Sequence, residues 1–381
     1  MIDTIDLLIP MDKLKFFSGA WDLNSRTAQY EKFVKNPSRK DLEKWSYMPR
    51  LTGYKRKGLD KSKNVRIEFS VPKLLFLNNL DEVQQSDFSL VIDALQERLR
   101  AMRILASRDV LENASVSTVH FSKNILLEDG YTASYIISEL NKVNMTKCFD
   151  FTRTRYINDG ESLYAHSTSH QFVVYDKIAD LRKGDKRAID NEQTKYQKSL
   201  TAHINNRSTE VLRFEIRLGN KQKMNKLFED LGYGKNLSFK EVFNEKLSKK
   251  VVVSYWEKLI KERHAGLFSL PFTTKDALRT LFLNDESIKP KQTIYLIGLL
   301  ALAKDEGGMG ALRSILSKKL HGRTWYRFIK DLETASGIVS QNKVRSWVVQ
   351  IDTKLTEFKP YRHRKAETSL STDKDLLCKV L

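Results

Sequence analysis

Apolar and polar positions alternate along several stretches of this chain. Over residues 65–71, Val65, Ile67, Phe69 and Val71 fall on one face and Arg66, Glu68 and Ser70 on the other, the period of a strand buried on one side. Residues 209–218, TEVLRFEIRL, repeat the pattern, with Leu212, Phe214, Ile216 and Leu218 opposite Arg213, Glu215 and Arg217. Over 114–124, Val116, Thr118, His120 and Ser122 share one face, opposite Val119 and Phe121. Residues 2–9 alternate through Ile5, Leu7 and Ile9 and predict a half-buried strand that stops at Pro10. Three further strand-like runs, 149–157, 161–166 and 170–175, follow, the first two joined as a hairpin by the NDG turn at 158–160.

Helical spacing takes over elsewhere. Phe88, Val91, Ile92, Leu95, Leu99, Met102 and Leu105 predict an amphipathic helix within 86–108, and a second spans about 131–143. Residues 178–206 are polar and charged, which predicts one or two exposed helices. Residues 11–48 are aromatic-rich and have no clear period. Beyond about residue 236 only helical patterns remain. Helices at 291–303, 310–320 and 323–335, with a turn at KDEGGMG, outline a helix-turn-helix-like unit. The chain therefore reads as α+β: a central, largely antiparallel sheet flanked by helices over residues 1–235, then an all-helical, basic region over 236–381.

Composition agrees with a folded chain and points to a partner. The chain has 381 residues, 41% hydrophobic and 30% charged, with only 7 prolines. Its net charge of +19 calls for a polyanion, nucleic acid ahead of a membrane surface, unless the charge only keeps the protein in solution. The longest apolar run, 294–303, is too short for the roughly 20 residues that span a bilayer. The opening Met1-Ile2-Asp3 lacks the basic region of a secretory signal. Cys148 and Cys378 have no metal-binding spacing and suit a reducing cytoplasm. Positive charge collects around Lys55, Arg56 and Lys57, in a stretch that reads as a hairpin able to lie along a phosphate backbone or simply to face water. It peaks over 311–330, where Arg313, Lys318, Lys319, Arg323 and Arg327 occur without an acid.

Candidate chemistry lies on the polar faces of the strands. Glu68, His120 and Glu215 each spring from apolar alternation, and two carboxylates with an imidazole suit Mg²⁺ or Mn²⁺. Solvated acids on a sheet face would look the same. In FVVYDK, Tyr175 stands where a strand meets a helix-like segment, with Lys177 two residues on. A phenol of pKa about 10 needs on the order of 4 kcal/mol to ionise at neutral pH. A lysine and a cation bound to a scissile phosphate would lower that cost and make Tyr175 a nucleophile for DNA.

The motifs MIDTIDLLIP, VRIEFSVPK, the His120 strand, FVVYDK and VLRFEIRL, in that order, resemble the gene II-type replication initiators of filamentous phages and the related rolling-circle initiators of small plasmids. The likeness covers most of 1–235 in motif order. It implies that the nucleophile falls on Tyr175, the assisting lysine on Lys177, and metal-binding acids on Glu68 and Glu215; where the family often has aspartate, this chain has His120. The paired His-hydrophobe-His of the wider rolling-circle nuclease class is absent, and His166 and His170 are not assigned to metal. The implied activity is nicking of one strand at a double-strand origin through a 5′-phosphotyrosine, priming from the 3′-OH, and later rejoining of the displaced strand. A host helicase and polymerase in a bacterial cytoplasm are implied partners, and a homodimer is compatible. Two rivals remain: a relaxase or transposase with the same nucleophile, and a non-enzymatic basic DNA-binding regulator in which Tyr175 only packs.

Overall fold

The computed structural model describes residues 1–17, 22–26, 30–37, 41, 44–45, 47–56, 63–143, 145, 148–157, 161–182, 210–261, 273–284, 288–304, 308–316, 322–339 and 345–362. Its strands are β1 (Ile2–Pro10), β2 (Lys15–Phe16), β3 (Asp22–Arg26), β4 (Tyr30–Lys35), β5 (Arg50–Arg56), β6 (Lys63–Ser70), β7 (Ile104–Leu105), β8 (Ser115–Leu126), β9 (Asp150–Ile157), β10 (Ser162–His166), β11 (His170–Asp176) and β12 (Val211–Leu218). Ten of them form one sheet in the order β3-β4-β5-β6-β1-β8-β12-β11-β10-β9, with every neighbouring pair antiparallel. The short pair β2 and β7 stands apart. The fold is α+β, as the alternation of periods predicts.

Register sorts the sheet into two faces, because paired residues on neighbouring strands point the same way. Ile5 lies opposite Phe69 and Val119, Ile216 opposite Phe121 and Phe172, and Phe214 opposite Val174; all are buried. Helices cover this apolar face. Phe239 of the short helix Phe239–Val242 meets Phe69 edge-on, Phe228 of helix Lys221–Asp230 meets Phe121, and Trp256 of helix Glu245–Trp256 meets Phe214 at 5.5 Å. Helix Ser346–Glu357 also packs on β8, so the last helix returns to the sheet.

Four expectations change in detail. β1 is not half-buried but lies near the middle of the sheet, and even its polar Asp3, Thr4 and Asp6 are buried. The first amphipathic helix runs only over Phe88–Ala101, since Arg103 takes a left-handed φ of 61° and turns the chain into β7. Val116 is core, opposite Leu7, because the register of β1 on β8 shifts between Asp6 and Leu7. Helix Lys177–Arg182 is buried rather than exposed: Ile178 and Leu181 pack with Leu80 and Val211. The remainder of 178–206 after Arg182, the 158–160 turn and the hairpin tip at 57–62 lie outside the described residues.

The helical part holds helices Thr274–Asn284, Pro290–Lys304, Gly308–Leu316 and Gly322–Val339, which pack on one another. No described helix is long and apolar enough to cross a membrane.

Candidate functional site

The second face of the sheet is polar, and it gathers the candidate residues. Asp6 is opposite Glu68 and Thr118, Thr4 opposite His120, His120 opposite Arg217, Ser122 opposite Glu215, and Arg213 opposite Tyr175. Glu68, His120 and Glu215 therefore share one side, as their strand alternation predicts, and Tyr175 joins them there.

Glu215 is the centre of this face. Its carboxylate is almost wholly buried, yet it receives four hydrogen bonds from described residues. Arg217 Nε and His120 Nδ1 reach Oε1 at 2.9 and 3.1 Å; Arg217 Nη2 and the Tyr175 hydroxyl reach Oε2 at 3.2 and 3.1 Å. Burial alone would favour the neutral acid, but the Arg217 charge and the His120 hydrogen bond overcome it and hold the Glu215 carboxyl well below the usual range. Tyr175 moves the other way. Burial, and then the Glu215 charge beside it, push its phenol well above 10.

Asp3 completes the cluster through an irregularity. Between Ile2 and Thr4 the β1 strand advances two residues while β8 advances one, from Phe121 to His120. This bulge brings Asp3 to the polar face, where Oδ1 lies 3.3 Å from Nη2 of the fully buried Arg213. Arg213 also donates to the Asn79 carbonyl at 2.9 Å and to Ser122 Oγ at 3.2 Å. One ligand atom each from Asp3, His120 and Glu215 lies within 4.8 Å of the others.

Glu68 stands apart. It is on β6, separated from β12 by β1 and β8, which is three strand spacings or about 14 Å. Its neighbours include Arg66, at 3.6 Å, Asp6 across on β1 and Arg50 across on β5. Burial raises the Asp6 carboxyl, Arg66 lowers it, and Glu68 raises it further. The two acids and the histidine expected to converge therefore part: His120 and Glu215 lie with Asp3, and Glu68 lies beside Asp6.

Lys177 also takes a different post. Fully buried, it donates to Asp180 Oδ2 at 2.7 Å and stands over the Tyr175 ring at 5.5 Å from its centre. Burial lowers its pKa, and Asp180 offsets part of the effect. Its charge is therefore spent on Asp180 and the ring face rather than on the Tyr175 hydroxyl. His170 lies on the apolar face, against Phe149 and Tyr255.

Two carboxylates and an imidazole fit Mg²⁺ or Mn²⁺ in donor chemistry. Asp3 Oδ1, buried and accepting no hydrogen bond among the described residues, keeps lone pairs for such an ion. Glu215 keeps none, since a carboxylate offers about four acceptor positions and all four are taken. An ion could enter only by displacing a donor.

Sequence reasoning overlooked Asp3, Asp6 and Arg217. Asp6 obeys the same alternation as Glu68 and was within reach of it; Asp3 sits at a bulge, which period-two counting cannot register. Among the basic residues, Lys55 is exposed on β5, and Arg323 and Arg327 are exposed on helix Gly322–Val339. The Arg313 guanidinium is half-buried, 5.7 Å from the Trp325 ring, and braces two helices. The Arg56 side chain, Lys57, Lys318 and Lys319 lie outside the described residues. Comparison with protein-family models, curated proteins and solved structures yields no match to this chain.

Proposed function

We propose that this chain is a rolling-circle replication initiator, a nickase that cuts one DNA strand at an origin through Tyr175 and later rejoins the displaced strand. The observation that carries the reading is the Tyr175 hydroxyl bonded to Glu215, inside a buried cluster that also holds His120 and Asp3. A packing tyrosine has no need of a carboxylate flanked by two further metal-capable groups. The net charge of +19 supports a DNA substrate. So does an open groove of about 290 Å³ lined by Phe16, Phe33, Tyr54, Lys55 and Lys63, because aromatic faces beside lysines suit single-stranded DNA.

In the reaction, Tyr175 Oη attacks the phosphorus of the scissile phosphodiester. A P–O bond forms to the tyrosine, the P–O3′ bond breaks, and the departing 3′ oxygen takes up a proton. The phenol proton leaves by way of Glu215 Oε2, its hydrogen-bond acceptor. The phosphorus remains a diester, so a 3′-OH can attack it in reverse and reseal the strand. Asp3, His120 and Glu215 would hold Mg²⁺ or Mn²⁺, which would supply positive charge to the phosphate. Lys177, bonded to Asp180, keeps the Tyr175 ring in place. The host supplies helicase and polymerase in its cytoplasm.

The test is to incubate the purified chain with Mn²⁺ and the supercoiled replicon that encodes it, then identify the residue joined to DNA by mass spectrometry. A peptide carrying DNA on Tyr175 supports the reading. An adduct on another residue, or binding with no adduct at all, overturns it.

A further inference from the structure

We propose that Arg217 is a tethered counter-cation for the cluster, which a divalent ion must displace from Glu215 before Tyr175 can be released to react. The inference rests on the proposed metal-dependent nickase and adds a control that the nickase reading does not require.

Arg217 lies two residues after Glu215 on the same strand and the same face. Its guanidinium grips the carboxylate side-on, through Nε at 2.9 Å and Nη2 at 3.2 Å, one nitrogen to each oxygen. These two bonds and those from His120 and Tyr175 use the acceptor capacity of Glu215. Of the groups bonded to Glu215, the Arg217 side chain is the most open to solvent, 28% exposed, against 16% for His120 and 7% for Tyr175 as a whole residue. It also has somewhere to go: its guanidinium already stands 5.6 Å from the centre of the Tyr164 ring, on the neighbouring part of the same face. Arg213, the other cation close by, cannot play this part. It is fully buried and fixed to Asn79, Ser122 and Asp3.

Two arrangements follow. With Arg217 on Glu215, the carboxylate is neutralised without an ion and the Tyr175 hydroxyl stays a hydrogen-bond donor. With Arg217 swung towards Tyr164 and solvent, Glu215 can join Asp3 and His120 around a divalent ion. The ion then competes with an arginine held at high local concentration by its own strand. If the closed arrangement is populated about 90% of the time, apparent ion affinity falls about tenfold.

Binding of MnCl2, followed through the electron paramagnetic resonance of free Mn²⁺, tests this without DNA or turnover. Arg217→Gln should bind Mn²⁺ about tenfold more tightly than the parent, and its melting temperature should rise more on adding Mn²⁺. A residue that only supports the fold would change in the opposite sense, since its loss would loosen the site. Unchanged or weaker Mn²⁺ binding by Arg217→Gln overturns the inference and leaves the nickase reading standing. Should Arg217→Gln not fold, Arg217→Lys, which keeps the charge but loses the fork, should still bind Mn²⁺ more tightly than the parent; equal affinity overturns the inference. Failure of parent and variants alike to bind Mn²⁺ overturns it too. Tighter binding by Arg217→Gln in a protein that never joins DNA supports Arg217 as the counter-cation that the ion displaces, and sinks the nickase reading together with the release of Tyr175.

Discussion

The Tyr175 hydroxyl donates to Glu215 Oε2 at 3.1 Å, a diagonal contact between neighbouring strands, since Val173 and not Tyr175 is directly opposite Glu215. The bond couples two groups with opposite tendencies. The carboxyl is held ionised by Arg217 and His120 in spite of burial, and the phenol is held neutral by burial and by that same carboxylate. A phenol kept in this way is a weak nucleophile as it stands, and ionising it depends on what happens to Glu215.

Removing the hydroxyl separates chemistry from packing. Tyr175→Phe retains the buried ring beneath Lys177 and loses one hydrogen bond, so its stability should fall by only about 1 kcal/mol. Covalent attachment to DNA should vanish while DNA binding persists. Nicking at the parental rate by Tyr175→Phe would show that the tyrosine only packs.

The two acid groups on the polar face make unequal predictions. Asp3→Asn alters a residue of the cluster that holds Tyr175 and should reduce nicking at least a hundredfold, the scale of losing one preorganised charged group at a reacting centre. Glu68→Gln, three strands from Glu215 and beside Arg66, should cost less than about tenfold and under about 1 kcal/mol of stability. Nicking rates of the two variants at matched Mn²⁺ decide the matter. A greater loss in Glu68→Gln would move the reacting centre towards Asp6.

Although β11 and β12 bury both faces, period-two alternation made the faces of Glu68, His120 and Glu215 legible. It could not show which strands are neighbours. β1 lies between β6 and β8 although most of the first fifty residues separate β1 from β5, and that order is what keeps Glu68 from Glu215. Asp3 was hidden by its bulge. The polar look of the segment after Tyr175 concealed a buried helix, because Ile178 and Leu181 need only two apolar positions to pack against Leu80 and Val211. By sequence Lys177 is a charge near a phenol, whereas in the fold Asp180, one turn on, already claims it.

His170 gives the fold an acid limit. Its ring lies 4.8 Å from Phe149 and 5.7 Å from Tyr255, and Nδ1 is 2.7 Å from Ser167 Oγ. Burial, with a smaller contribution from the Lys223 charge, lowers its pKa to about 4 from 6.5. The unfolded chain therefore binds the proton more readily than the folded one. Stability from this residue is present above about pH 6.5 and is lost as pH falls towards about 4. Urea midpoints measured across that window should drop more steeply for the parent than for His170→Phe. Parallel curves would mean that His170 stays neutral in both states or is charged in both.

Salt dependence tests where DNA lies. Each phosphate contact removed should reduce the slope of log affinity against log salt by about 1. Lys55 and Lys63 line the aromatic groove on the outer strands, while Arg323 and Arg327 are exposed on helix Gly322–Val339, one turn apart. If both surfaces hold origin DNA, Lys55→Gln with Lys63→Gln should lower the slope by about 2, and so should Arg323→Gln with Arg327→Gln. Single-stranded DNA should discriminate between them. Stacking on Phe16 and Tyr54 makes the groove pair the more damaging change for a single strand, and the helix pair the more damaging for a duplex. Fluorescence anisotropy with both DNA forms over a KCl series reads all four values. An unchanged slope for either pair would remove that surface from the interface, and equal losses on both DNA forms would mean that the groove does not select single strands.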